Sequence, residues 1–262
     1  KQKKLLKVAP LVYGDKSKKK AFFLCKNCDV RFLFPRLSIK EEKFFYKKEF
    51  EKFKEKRGGE SSGWRKAEDH IRSNNETFYR RMKYLGPYLK NKKKILEVGC
   101  SSGFMLFPLI KKGHYCSGIE PSGVFSKFLK KKNIKIYDSI NILKKKNKKF
   151  DLIIHFFVLE HISNPIEFTK TLLSLLKKNG KIIFEIPNVA EPLHTLFKIA
   201  EFEKFYWSIA HHWYFSEKSL KYVLDRLKKP YKIKLDQRYD ASNHIEWNIE
   251  GKPGGMKKYT SL

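Results

Sequence analysis

Short apolar runs alternate with amphipathic stretches along most of the chain. Apolar runs are typical of buried strands, and apolar residues three or four apart are typical of helices. The pattern predicts strands at 95–98, 115–119, 134–137, 150–156, 180–186, 231–236 and 245–249. It predicts helices at about 65–90, 103–112, 122–132 and 165–177. Such alternation indicates a parallel sheet with helices on both faces. The predicted fold class is therefore α/β, a Rossmann-like doubly wound sheet of seven strands with the last strand antiparallel.

The first 63 residues follow a different pattern and are predicted to form a small N-terminal appendage. Alternating apolar residues flank Cys25 and Cys28, which predicts a hairpin, and residues 39–57 carry the spacing of an amphipathic helix. Glycines and serines at 58–63 predict a mobile linker. The predicted domains are the appendage at 1–63, the α/β core at 64–252 and a tail at 253–262.

The turn after the first core strand has the composition of a nucleotide-binding corner. Glu97 ends the strand, and Gly99 and Gly103 bound a loop that opens a helix, with Cys100 and Ser101 between them. Glycine permits a tight turn and a close ligand, and helix N-termini offer unpaired N–H donors. We expect Glu97 to accept hydrogen bonds from a cationic amino group. A glycine loop of this kind is also compatible with a bare packing turn.

Two later features stand in register with that loop. Glu120 and Pro121 follow the second core strand about 20 residues further on, where Rossmann-like folds hold a ribose diol. The fourth core strand ends at Phe156 and leads into Val158-Leu-Glu-His161, and then Asn164-Pro165. Three motifs in one order favour a cofactor site over a packing turn.

These motifs resemble the class I S-adenosylmethionine (SAM)-dependent methyltransferases over roughly residues 75–250. The resemblance implies SAM as cofactor and S-adenosylhomocysteine (SAH) as product. It places Glu97, Gly99, Cys100, Ser101, Gly103, Glu120, Pro121, Asp138, Phe156 and Tyr79 at the cofactor, with Asp138 near the adenine amino group. Tyr79 and Arg80 are candidates for the methionine carboxylate. The alternatives are core packing for Tyr79 and a surface turn for Asp138. The loop departs from the family at Ser101, where a glycine is common.

Two histidines are the predicted catalytic residues. A methyl acceptor that bears a hydroxyl or amine must lose a proton, and an imidazole titrates near neutral pH. His161 follows the fourth core strand, and His211 lies in a His-x-x-x-Phe-Ser segment that resembles the acceptor side of the same methyltransferases. Either is a candidate general base, although His161 alone is also compatible with a structural hydrogen bond. His155, inside an apolar strand, is expected to be structural.

The net charge of +31 would by itself suggest a nucleic-acid partner. The lysine pairs and triplets, however, fall just before strands, whereas ligands of a parallel sheet bind where strands end. The position of the lysines therefore disfavours a nucleic-acid partner and favours a small molecule. Neither a membrane span nor a signal peptide is predicted, and four cysteines without a disulfide framework favour the cytoplasm.

The Cys25-x-x-Cys28 pair is half of a structural zinc site. It is similar to the ribbon of small bacterial methyltransferases that have a second Cys-x-x-Cys pair upstream. One pair supplies two ligands of the four that a structural zinc site needs, so zinc at Cys25 and Cys28 depends on such an upstream pair. A reduced pair in a small hairpin is the alternative.

The sequence thus predicts a SAM-dependent methyltransferase that methylates an oxygen of a small polar acceptor. Resemblance to the ribbon-bearing group associates it with sugars, nucleotide sugars or phosphorylated precursors of capsular and other surface polysaccharides. Two alternatives are an RNA or protein methyltransferase, which would have a basic cleft at the cofactor site, and a SAM-binding protein without catalysis. The oligomeric state is left open.

Overall fold

The protein was analysed as a computed structural model that describes residues 5–58, 62–256 and 258–259. The strands are β1 (Leu6–Ala9), β2 (Ala21–Leu24), β3 (Arg31–Phe34), β4 (Lys94–Val98), β5 (Tyr115–Ile119), β6 (Lys135–Tyr137), β7 (Phe150–Phe156), β8 (Leu176–Glu185) and β9 (Trp213–Tyr214). They form two sheets, which belong to two compact units.

The structure described contains α-helices of about one to three turns. They are α1 (Ile39–Phe44), α2 (Phe50–Gly58), α3 (Ala67–Ser73), α4 (Asn75–Leu85), α5 (Leu106–Lys111), α6 (Gly123–Lys131), α7 (Ile140–Lys145), α8 (Pro165–Ser174), α9 (Pro192–Thr195), α10 (Ala200–Tyr206), α11 (Glu217–Asp225) and α12 (Ala241–Glu250). A π-helical turn (Phe45–Glu49) joins α1 to α2. None of the helices described has the length and apolar content needed to cross a bilayer.

The parallel-sheet unit comprises Leu37–Leu159 and Glu167–Glu185. Its five strands run parallel in the order β6-β5-β4-β7-β8. The central strands are apolar on both faces, as helices on both sides require. Ile95 and Leu96 of β4 and Ile153 and Ile154 of β7 are fully buried. The predicted Rossmann-like α/β fold is confirmed.

The predicted sixth and seventh strands are wrong. Residues 231–236 have no regular secondary structure, and residues 245–249 lie inside α12. The Asp240 side chain caps α12 by accepting a hydrogen bond from the backbone N–H of Asn243, and Gly251 ends the helix with φ 62°. Ile245, Trp247 and Ile249 alternate as in a strand, but so short a run does not distinguish strand from helix.

The helices predicted at 39–57 and 65–90, before the first strand of the parallel sheet, are both present, but the second is interrupted. A capping box between Ser38 and Glu41 begins α1, and the helical path continues to Gly58. The helix predicted from residue 65 to 90 is instead two helices, because the backbone leaves the helical region at Asn74. Residues 59–61 of the predicted linker lie outside the described residues, so its mobility stays a prediction.

The antiparallel-sheet unit comprises Lys1–Arg36, Glu160–Ile166 and Ile186–Leu262. Its strand order is β1-β2-β3-β9, so the predicted hairpin at residues 21–36 is part of a four-stranded sheet. An aromatic core supports it, in which the Phe22 ring lies 5.1 Å from the rings of both Trp207 and Tyr214. The predicted domain boundaries at 63 and 252 stay a prediction, and the compact units divide the chain elsewhere.

Candidate functional site

The loop between β4 and α5 has the strained turn that its two glycines predicted. Gly99 has φ 69° and Gly103 has φ 80°, a region that L side chains rarely adopt. A Cβ atom on Gly99 would lie 2.7 Å from Cγ2 of Val158, so glycine is also required by space. Ser101 has φ 44°. The loop is held by the backbone N–H of Gly99, which donates to the carbonyl of Ile119 on β5 at 2.8 Å.

Glu97 is a buried carboxyl at the end of β4. Its side chain is 2% exposed, and its Oε2 atom has no hydrogen-bond partner among the described residues. The pKa of Glu97 is raised to about 8, chiefly by burial; the positive charge of Arg81 lowers it in part, and the nearby Glu120 adds to the rise. A buried carboxyl with an unused acceptor atom suits a ligand that brings a cationic donor.

Glu120 fastens the loop to the end of β5. Its two carboxyl oxygens accept hydrogen bonds from the backbone N–H groups of Ser101 at 2.6 Å and Ser122 at 2.8 Å. Ser122 also caps α6, and its hydroxyl donates to Glu51 of α2 at 2.5 Å. Burial raises the pKa of Glu120 to about 7, with the two N–H groups lowering it and Glu51 raising it.

Arg81 is a site residue that the sequence interpretation missed. Its guanidinium lies 3.9 Å from the ring centroid of Phe156, and its Nε atom donates to Glu185 at 3.1 Å. Arg80, which was predicted, also pairs with Glu185, at 2.5 Å. The spacing of Phe78, Arg81 and Leu85 on one face of α4 was the available signal, because it places Arg81 on the buried face.

His70 is a second missed residue, and it lies beneath the loop. Its Nδ1 atom is 2.8 Å from the hydroxyl of Ser102, and its ring contacts those of Trp64 and Phe125. Burial lowers the pKa of His70 to about 4, with help from the charges of Lys54 and Arg81. The imidazole is therefore neutral at physiological pH, and it supports the loop as a hydrogen-bonding group.

Four other predicted residues are placed as follows. Tyr79 is 63% exposed, so core packing for it is wrong: it is on the outer face of α4. The Asp138 side chain is 77% exposed and lies 3.4 Å from Lys130 Nζ. Cys100 is fully buried, whereas Pro121 is exposed. The roles of all four at a cofactor stay predictions.

His155 is buried in β7, as a structural residue would be. Its ring stacks on Phe184 with centroids 4.8 Å apart, and burial lowers its pKa to about 3. Neither ring nitrogen has a hydrogen-bond partner among the described residues.

The two predicted catalytic histidines are neighbours in the antiparallel-sheet unit. The rings of His161 and His211 meet edge to face, with centroids 4.7 Å apart. Nδ1 of His161 donates to the carbonyl of Ala210 at 2.6 Å. Glu160 is 1% exposed, and its Oε1 atom lies 4.0 Å from Nε2 of His161. The sequence interpretation identified the two histidines and missed Glu160, which adjoins one of them in the chain.

Cys25 and Cys28 lie between β2 and β3 and form no disulfide bond. The backbone N–H of Asp29 donates to the carbonyl of Cys25 at 2.8 Å, which closes the turn. Burial, together with the neighbouring Cys25, raises the pKa of Cys28. Within the described part of the chain, the group of three metal-type ligands lies elsewhere, at Glu160, His161 and His211. Zinc at the cysteines still depends on ligands from an upstream segment.

The residues around the β4 loop fit SAM on their own chemistry. Glu97 offers a buried, unused acceptor to an ammonium group, and the space at Gly99 admits only a bare backbone. Glu120, at the end of the adjacent strand, has the carboxylate that hydrogen-bonds a ribose diol in Rossmann-like sites. The buried charge of Arg81 suits an anionic group such as a carboxylate.

Comparison with known proteins identifies several similar chains. The ubiquinone biosynthesis O-methyltransferase of Coxiella burnetii is 30% identical over 116 residues, which cover 41% of this chain and 50% of that protein. The enzyme of the same name from Pelagibacter ubique is 38% identical over 94 residues, covering 33% and 39%. The chain thus spans about half the length, or less, of these curated relatives.

Among solved structures, a SAM-dependent methyltransferase from Archaeoglobus fulgidus has a TM-score of 0.49 and 21% identity, covering 72% of this chain and 94% of that one. The plantazolicin methyltransferase BpumL, solved with SAH, has a TM-score of 0.49 and 22% identity, covering 69% and 76%. A family model described as a methyltransferase domain matches residues 65–227, which is more than half of the chain. With the glycine loop and both acidic strand ends in place within that match, this protein belongs to the SAM-dependent methyltransferase family.

Proposed function

We propose that this protein transfers a methyl group from SAM to an oxygen atom of a small acceptor molecule. The observation that carries the proposal is the pair of buried carboxyls, Glu97 and Glu120, at the ends of adjacent strands β4 and β5. A buried carboxyl is costly unless a partner compensates it, and the ammonium and ribose groups of SAM would do so. The similarity to curated O-methyltransferases supports oxygen as the acceptor atom.

In this proposal, the residues divide between binding and activation. SAM supplies an electrophilic methyl group when it is bound. Glu97 holds the ammonium, Glu120 holds the ribose diol, and Arg81 together with Arg80 holds the methionine carboxylate. Gly99 and Gly103 let the backbone approach the cofactor, and Cys100, Ser101 and Phe156 line it. Proximity of donor and acceptor accounts for much of the rate in such a displacement.

We infer that His161 and His211 make the acceptor oxygen nucleophilic. The edge-to-face packing of the rings and the hydrogen bond from His161 to Ala210 hold the pair in one orientation. Because Nδ1 of His161 donates to a carbonyl, a neutral imidazole has its lone pair on Nε2. In this proposal, Nε2 takes the proton of the acceptor hydroxyl, as a general base does.

The acceptor class is a separate part of the proposal. The resemblance noted in the sequence favours a sugar, a nucleotide sugar or a phosphorylated precursor of surface polysaccharide. The names of the curated relatives favour an acceptor of the kind that ubiquinone biosynthesis supplies. Both classes are small molecules with hydroxyl groups, so one acceptor screen addresses them together.

The first experiment measures cofactor binding. Thermal denaturation with SAM, SAH or NAD should show stabilisation by the first two alone, because only a ligand of the native state stabilises it. Glu120→Ala should weaken SAM binding by about 1.5–3 kcal/mol in calorimetry. Glu167→Ala is the control, because Glu167 lies on α8, where its exposed side chain pairs with Lys170. Equal affinity of both variants for SAM would contradict the assignment.

The second experiment measures transfer. SAH release is followed with phenolic, sugar, nucleotide-sugar, RNA and protein acceptors. A small hydroxylated acceptor should be methylated, and its product should carry an O-methyl group by mass spectrometry. Methylation of RNA or protein alone would replace the small-molecule proposal, and SAM binding without transfer to any acceptor would favour a non-catalytic SAM-binding protein.

A further inference from the structure

Three side chains with metal-binding atoms converge in the antiparallel-sheet unit. Glu160, His161 and His211 each offer one ligand atom, and these atoms all lie within 4.8 Å of one another. We call them the Glu160–His161–His211 cluster. From its geometry we propose that this cluster is a binding site for a divalent cation of the zinc class.

The distances within the cluster suit a bridging ion better than a direct hydrogen bond. Oε1 of Glu160 and Nε2 of His161 are 4.0 Å apart, beyond the roughly 3.2 Å limit of a hydrogen bond. Zinc binds imidazole nitrogen and carboxylate oxygen at about 2.0–2.2 Å, which places two ligands of a tetrahedral ion roughly 3.4 Å apart. Closing the cluster onto an ion therefore requires movements of about 0.7 Å or less by each ligand atom.

Hydrogen bonds outside the cluster already orient its ligands. The Nδ1–H of His161 donates to the carbonyl of Ala210 at 2.6 Å, so a neutral ring carries its lone pair on Nε2, the atom that faces Glu160 at 4.0 Å. A metal-bound histidine is commonly fixed in this way, through its second nitrogen. The backbone carbonyl of Glu160 accepts from the N–H of His212 at 2.8 Å, so the two segments that supply the ligands are tied together.

The antiparallel sheet β1-β2-β3-β9 supports the segment that contains His211. β9 follows His211 directly and pairs with β3, and the backbone N–H of Leu33 donates to the carbonyl of His212 at 3.0 Å. The indole N–H of Trp213 donates to the carbonyl of Ile162 at 2.8 Å. Ligands that are held on both sides are preorganised, which lowers the entropic cost of binding an ion.

The ligand types and their burial indicate which ion. Two imidazoles and one carboxylate form a set found in catalytic zinc sites, which keep a further position open for water or substrate. Magnesium and calcium prefer oxygen ligands, so the two nitrogens disfavour them. The Glu160 carboxylate is 1% exposed, and a dication offsets the cost of burying its charge.

The role of the ion, unlike its binding, rests on the proposed function. A hydroxyl that coordinates a zinc ion is more acidic than a free one, and it releases its proton to water at a lower pH. His161 and His211 would then act as ligands, and the ion would ionise the acceptor oxygen in place of an imidazole base.

Cobalt substitution tests the site directly. The full chain, stripped of metal with a chelator, is titrated with Co²⁺ and followed by its visible absorption. We expect one Co²⁺ ion to bind per chain. Its visible absorption should be that of cobalt with nitrogen and oxygen ligands, without a thiolate-to-cobalt charge-transfer band. Zn²⁺ should displace the Co²⁺. A thiolate band would assign the ion to Cys25 and Cys28 and overturn the proposal.

Variants separate the two sites. His161→Gln and Glu160→Gln should weaken binding by more than the roughly 10–100-fold that loss of an outer-shell partner costs. The double variant Cys25→Ser, Cys28→Ser should bind with the affinity of the parent, as should His194→Gln, whose imidazole pairs with Glu203. A far-UV circular dichroism spectrum and a cooperative urea transition like those of the parent show that each variant is folded. Binding that survives both cluster substitutions would overturn the proposal.

Methyl-transfer assays keep this proposal distinct from the proposed function. Metal binding is measured without SAM, and SAM binding is measured without metal, so either can fail alone. If the cluster ionises the acceptor through an ion, the chelated protein should lose activity and regain it with Zn²⁺. Full activity in the chelated protein would overturn the role of the ion and leave His161 or His211 as the general base.

Discussion

Glu97→Gln should change both the pH dependence of stability and the affinity for SAM, and the two changes have a common cause. Burial raises the pKa of Glu97 from 4.5 to about 8. In the unfolded chain the carboxyl is ionised above pH 4.5, whereas in the folded protein it stays protonated to about pH 8. The folded state therefore binds more protons in this range, and stability falls as pH rises through it.

The magnitude follows from the shift. Each pH unit between the two pKa values costs about 1.4 kcal/mol, so the parent should lose about 3 kcal/mol from this group between pH 5 and 7. The loss is complete near pH 8. Glutamine does not titrate, so the free energy of unfolding of the variant should not include this decrease with pH. Glu120, with its own raised pKa of about 7, remains in both proteins and contributes to both curves.

The same proton opposes cofactor binding at low pH. To accept a hydrogen bond from an ammonium group, Glu97 must ionise, so SAM affinity in the parent should rise up to about tenfold per pH unit from pH 6 to 7.5. The variant should bind with little dependence on pH over that range. At pH 8 its affinity should be lower by about 1.5–3 kcal/mol, the usual worth of a hydrogen bond to a charged group.

Urea denaturation from pH 5 to 8 and calorimetric titration with SAM give the two quantities. Glu167→Gln is the matched control, because it removes an exposed carboxylate from the same unit. Parallel stability curves for parent and Glu97→Gln, together with equal SAM affinity at pH 8, would refute the assignment of Glu97. A buried carboxyl without a role in cofactor binding would give the same difference in slope but would leave the SAM affinity unchanged.

Three further substitutions test separate parts of the structure. Gly99→Ala should destabilise by about 1–3 kcal/mol in urea, because its φ is positive and its Cβ would meet Val158 at 2.7 Å. Gly86→Ala is the control, because no atom lies within 4 Å of the added Cβ and its stability should be close to that of the parent. Equal losses of stability in the two variants would argue against strain at Gly99. Arg81→Met should cost about 1.5–3 kcal/mol in thermal or urea unfolding, because it removes the hydrogen bond that Arg81 donates to Glu185, whose pair with Arg80 remains; an unchanged midpoint would contradict that. Ser216→Ala should cost about 1 kcal/mol by removing the cap of α11, and no loss would mean that the capping box is not formed in solution.

Local sequence determined the parallel-sheet unit and its cofactor corner. Strands β4, β5 and β7 are short apolar runs bounded by turns, and their ends fix where Glu97, Glu120 and Phe156 lie. Gly99 and Gly103 indicate a turn because only glycine adopts positive φ without strain. Each of these features depends on only a few neighbouring residues, so it can be recognised from the sequence without knowledge of the tertiary structure.

Tertiary structure decided what depends on distant partners. Alternating residues at 245–249 were compatible with a strand, and capping by Asp240 with burial of Trp247 made them a helix. Arg81 became a buried charge because Glu185, more than a hundred residues later, lies against it. Glu160, His161 and His211 form one cluster only because backbone hydrogen bonds join two separate segments. Sequence patterns report the periodicity of one segment, whereas burial and the convergence of side chains are set by contacts between segments.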